Sequence, residues 1–100
     1  MEFKLNLNGN EYVFYADHIG VGTLRDTMRL MRRIDFENPT EAMLDDLVYH
    51  VLDMFNGQFS IFDLYRGLDA SVFFPTIKGL MEDVLRRANL NPEDFQYSCQ

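Results

Sequence analysis

Residues Glu2 to Tyr15 carry two runs with a two-residue period, separated by Asn8-Gly9. That pair suits the positive φ angles of a type I′ turn, so the run predicts a β-hairpin. Folding about the turn sets Leu7 opposite Asn10, Leu5 opposite Tyr12 and Phe3 opposite Phe14. Phe3, Leu5, Tyr12 and Phe14 then share one apolar face. Two strands alone are marginal in water. The face must therefore pack on helices, or the outer strand must pair with another copy of the chain.

From Val21 to Ile34 the period changes. Leu24, Met28, Met31 and Ile34 recur at spacings of four, three and three, which places them along the core side of a helix. Arg25, Arg29, Arg32 and Arg33 fall on the other side. Asn38-Pro39-Thr40-Glu41 combines a capping residue, a proline at the first helical position and a carboxylate three residues after the cap, so a second helix is expected to start there. It carries Met43, Leu44, Leu47, Val48, Val51, Leu52, Met54 and Phe55 to a stop at Asn56-Gly57. This apolar arc is wider than a surface helix needs, which marks the helix as central. Ser60, with Asp63 three residues on and Phe59 placed to staple against Leu64, opens a short third helix that ends at Gly67. Asp69 or Ser71 caps a last helix with Pro75 in its first turn, a core strip from Phe73 to Ala88, and a stop at Asn91-Pro92. The expected fold is α+β and mainly α: an N-terminal hairpin followed by about four helices in a small bundle, over residues 1–90. Residues 91–100 lack apolar periodicity and predict a loose acidic tail.

The chain has 100 residues, 47% of them hydrophobic and 25% charged. That is one domain, able to bury roughly two thirds of the surface an extended chain exposes. Nine basic against sixteen acidic residues give a net charge of −7, which disfavours whole-molecule attraction to nucleic acid or to an anionic membrane. Four of the nine basic residues nevertheless lie in the single stripe on the first helix, which is either a solvated face or a docking surface for an acidic partner. The one cysteine, Cys99, allows no internal disulfide and suits a reducing compartment. Neither a signal peptide nor a membrane span is visible, so a cytoplasmic location is expected.

No catalytic constellation emerges. His18 and His50 sit in no recognisable nucleophile context, and Gly20-Val21-Gly22 lacks the rest of a phosphate-binding pattern and reads as a hinge. Adjacent carboxylates such as Asp45-Asp46 and Glu82-Asp83 diverge by about 100° on a helix. Asp46, His50 and Asp53 share a helical spacing that two metal ligands can use. With no further histidine or cysteine near, a solvated polar face is the expected reading. Neither an enzyme nor a cofactor or metal site is expected.

The stretch Phe55-Asn56-Gly57-Gln58-Phe59-Ser60-Ile61-Phe62-Asp63-Leu64-Tyr65-Arg66-Gly67-Leu68-Asp69-Ala70 resembles the tail assembly chaperones of long-tailed phages and prophages of Gram-positive bacteria. Those proteins show Phe-Gly-x-Gln-Phe-Thr, then an acidic residue and a Gly-Leu-x-Ala. Here Ser60 stands for the usual Thr, keeping the capping hydroxyl, and Asn56 is placed ahead of Gly57. The resemblance extends to a Lys-Leu-Asn-Leu-Asn-Gly start, an Arg-rich first helix and a helix introduced by Pro-Thr-Glu, covering roughly residues 2 to 88. It rests on capping and packing residues rather than reactive ones.

The resemblance implies a non-catalytic assembly factor of the host cytoplasm, absent from the mature virion. Such a factor binds the helical tape-measure protein, keeps it soluble and helps tail-tube protein assemble around it. It further implies self-association into a homo-oligomer and a frameshifted longer form of the chain as a partner. The candidate partner-binding residues are the stripe Arg25, Arg29, Arg32 and Arg33 with the aromatics Phe62, Tyr65, Phe73 and Phe74, although these aromatics read equally well as core. The alternative from another class is a small regulatory DNA-binding helical protein using Arg25 to Arg33. Its net acidity and the lack of a helix-turn-helix pair count against it.

Overall fold

A computed structural model describes residues 1–97; Cys99 lies outside them. Strands β1 (Glu2–Leu7) and β2 (Asn10–Tyr15) form an antiparallel hairpin, followed by helices α1 (Val21–Arg33), α2 (Glu41–Met54), α3 (Ile61–Gly67) and α4 (Phe73–Arg87). Short 3-10 turns at Ala70–Val72 and Pro92–Phe95 precede and follow α4. The α+β class and the hairpin-then-helices order are those expected.

The hairpin register pairs Phe3 with Phe14, Leu5 with Tyr12 and Leu7 with Asn10 about Asn8 and Gly9, whose φ angles are 54° and 82°. The expected apolar face is only partly used. Phe3 and Leu5 are buried, Phe14 is half-buried, and Tyr12 remains 48% exposed because β1, not β2, packs on the helices. Phe3 stands 5.6 Å from Phe55 and 5.4 Å from Phe59, and Phe14 stands 4.9 Å from Phe59, ring centre to ring centre. These tilted aromatic contacts tie the hairpin to the end of α2 and the approach to α3.

Helix ends follow capping chemistry, with shifts. Thr40 rather than Asn38 caps α2, its hydroxyl accepting the Met43 amide, so Pro39 lies before the helix instead of inside its first turn. Asn56 and Gly57 close α2 with positive φ, and the Gly57 amide reaches back to the Leu52 carbonyl at 3.0 Å. Ser60 and Asp63 form the reciprocal capping box. Asp69 caps the 3-10 turn before α4, accepting both the Ser71 amide and its hydroxyl, which hold its carboxyl below the usual range.

Gly67 is where expected but for another reason. Its φ is not left-handed; a Cβ there would sit 2.9 Å from Leu7 Cδ2, 3.1 Å from Leu5 Cβ and 3.2 Å from the Asn6 carbonyl oxygen. The missing side chain lets α3 press against β1. Helix α4 ends at Arg87, with Ala88 as its C-cap and Asn89 just beyond at φ 61°, ahead of the expected Asn91-Pro92 stop. The segment expected as a loose tail instead packs as far as Phe95, which is buried beneath the Arg32 guanidinium at 4.6 Å.

Candidate functional site

Helix α2 organises two neighbouring surfaces. On the side that meets α1, the sequence places Thr23 and Thr27 on α1 against His50 and Asp53 on α2. Thr23 donates its hydroxyl to Asp53 Oδ2 at 2.8 Å, and Thr27 donates to the Thr23 carbonyl at 2.8 Å. The Thr27 oxygen also lies 2.7 Å from His50 Nε2. A hydroxyl has one proton, so with that proton given to the carbonyl, Nε2–H of His50 donates to Thr27. His50 is thus buried, not on the solvated face expected from its spacing with Asp46 and Asp53. Burial pushes its pKa below the ordinary value; Asp53 and Asp26 pull it up, and Arg29 adds to the lowering. The imidazole is neutral at neutral pH. No group of three or more His, Cys, Asp or Glu among the described residues is arranged to hold a metal ion.

On another side of α2 the surface is left open. Leu44 and Val48 of α2, Leu64 and Tyr65 of α3, Leu68 and Ala70 of the connection, and Phe73 and Phe74 of α4 line an apolar groove of about 300 Å³. Phe73 and Phe74 meet edge to face at 4.9 Å and are half-buried, while Tyr65 is 50% exposed. Three of the four sequence-nominated aromatics therefore converge here. Phe62 does not. It is 68% exposed and lines a separate cleft with Asn6, Leu7, Tyr12 and Arg66 beside the hairpin. The aliphatic half of the groove was not nominated from sequence; its signal was the excess width of the α2 apolar arc, which includes Leu44 and Val48.

Arg25, Arg29, Arg32 and Arg33 are all exposed on α1 and none lines the groove. They are not equivalent. Arg29 pairs with Asp26 at 3.3 Å and Arg32 covers Phe95, whereas Arg25 and Arg33 make no ion pair among the described residues. The core face of α1 is also rotated from the expected one. Thr27, Leu30, Met31 and Ile34 are buried, and Leu24 and Met28 are half-buried.

The groove between α2, α3 and α4 is thus lined by aliphatic and aromatic side chains and Ala70. A family model described as phage tail chaperone protein matches residues 1–94, and the chain belongs to that family. No curated protein and no solved structure gives a significant match. No helix among the described residues is long and apolar enough to cross a membrane.

Proposed function

We propose that this phage tail chaperone serves a long-tailed phage or prophage of a Gram-positive host by binding the tape-measure protein in the host cytoplasm. It keeps that helical chain soluble while tail-tube protein assembles around it, acts as a homo-oligomer, and is absent from the finished virion. The observation that supports this reading is the groove between α2, α3 and α4, which fits the apolar face of an amphipathic helix. Arg25 and Arg33, free of ion pairs among the described residues, supply long-range attraction to acidic segments of the same partner.

The test is co-expression with the long helical chain encoded alongside, followed by light scattering on what co-purifies. A soluble complex with several copies of this chain per partner is expected. Tyr65→Ser and Phe74→Ser in a chain that still folds should release the partner. A partner that stays insoluble beside the folded wild-type chain would overturn the reading.

A further inference from the structure

The hairpin has one covered edge and one open edge. The backbones of Met1 and Ala16 exchange both hydrogen bonds, at 2.9 and 3.2 Å. Alternate pairs from there, Phe3–Phe14, Leu5–Tyr12 and Leu7–Asn10, are therefore the hydrogen-bonded ones. Glu11, Val13 and Tyr15 lie between them in register and aim N–H and C=O away from β1. Of these six groups, only the Tyr15 carbonyl has a partner among the described residues, Gln58 Nε2 at 2.7 Å. The outer edge of β1 is different, because Asn6 turns its carbonyl toward Gly67 and α3 lies against it.

The β2 edge also lacks the features that normally block strand addition. It holds no proline and no lysine, its register runs without a bulge, and Glu11 is its one charge. Tyr12, Val13 and Tyr15 expose 48%, 36% and 60% of their surface, a high apolar and aromatic load for a strand facing water.

We propose that β2 pairs antiparallel with β2 of a second copy of this chain about a two-fold axis at Val13, joining two hairpins into one four-stranded sheet. Charge selects that register. With Val13 opposite Val13, Glu11 meets Tyr15 of the other copy, Tyr12 meets Phe14, and the two Glu11 carboxylates stand about 13 Å apart along the strand. Sliding the pair one step toward the turn brings the two Glu11 residues to diagonal positions about 7 Å apart along the strand and a second step sets them face to face, whereas one step away sets Glu11 opposite Asp17. The pairing satisfies the outward groups of Glu11 and Val13 and covers the exposed aromatics. It rests on the homo-oligomer reading above and assigns it a surface distinct from the groove, so both can be occupied at once.

Val13→Lys and Val13→Glu each place like charges face to face at the axis. Light scattering across a dilution series should show wild type as dimer or multiples of it, each variant dissociating at about tenfold higher concentration or more, and a one-to-one mixture of the two regaining wild-type association. Tyr15→Lys and Tyr15→Glu give an independent reading on a more exposed residue: lysine opposite Glu11 should tighten the dimer and glutamate loosen it. Self-association that none of the four substitutions moves overturns the β2 pairing while leaving the homo-oligomer reading intact. A wild-type chain that is monomeric throughout overturns both.

Discussion

Helix α2 is flanked by two contacts of opposite character. Toward α1 the seam is tied by directional bonds, Thr23 to Asp53 and His50 to Thr27, beside a polar cleft of about 290 Å³ lined by Asp26, Arg29, Arg33, Asp46 and Tyr49. Toward α3 and α4 the floor is apolar, and the walls stop short of meeting and leave the groove bounded by Leu44, Tyr65 and Phe74. In the seam the buried Thr27 and His50 satisfy each other, and no buried polar side-chain atom among the described residues lacks a partner, so its bonds contribute stability. An open apolar groove holds back burial that a partner can complete. In the proposed function, one helix thus divides its wide apolar arc between folding and binding.

The comparison is broken most strongly by removing the floor. Phe55→Ala takes a fully buried ring from the junction of α2, the hairpin and Phe59, and should destabilise by about 3–5 kcal/mol. Urea denaturation should show the midpoint collapsing or the chain unfolded, since small domains hold only about 5–15 kcal/mol. Gly67→Ala should cost about 1–3 kcal/mol by forcing α3 off β1, read in the same experiment, with the hairpin amides losing hydrogen-exchange protection first.

Acid acts on the seam through His50. Because burial holds the folded-state pKa of His50 below its ordinary 6.5, the unfolded chain binds this proton more readily. The stability the neutral imidazole supports is complete above about pH 6.5 and declines as pH falls from there toward the folded-state pKa. His50→Gln should flatten that part of the stability profile, a difference visible in thermal melts between pH 7 and pH 5.

Groove substitutions should separate folding from binding. Tyr65→Ser is expected to shift stability by about 0.5 kcal/mol or less, since half the side chain is already in water, yet to weaken partner binding in calorimetry. The smallest effect belongs to Arg25→Glu with Arg33→Glu. Stability should not change measurably, and the association rate with the partner should fall at low salt and recover toward wild type as salt screens the charges.

Local chemistry made much of this fold legible. The Asn8-Gly9 turn set the hairpin register, and the capping box at Ser60 and the stop at Asn56-Gly57 placed helix ends. What periodicity could not see were contacts made by residues of the wrong polarity or without neighbours. Thr27 and His50 are buried as a hydrogen-bonded pair 23 residues apart, and hydrophobic spacing assigns neither to a core. Phe95, a lone aromatic in an acidic run, gains its place because its turn packs on α1 and α4, with Arg32 above its ring. Gly67 was identified by type, but the β1 backbone it accommodates is some sixty residues earlier in the chain. For the groove, sequence nominated aromatics by their side-chain type; the helix packing then joined Tyr65, Phe73 and Phe74 and set Phe62 apart.

The most direct test of the central claim, that the partner completes the apolar side of α2 and not the polar one, is hydrogen–deuterium exchange on the chain alone and with the proposed tape-measure partner added. Protection should rise across residues 44–48 and 64–74 on binding, with the amides of α1 unchanged beyond its arginine face. Protection confined to α1, with the groove exchanging as in the free chain, would contradict the account.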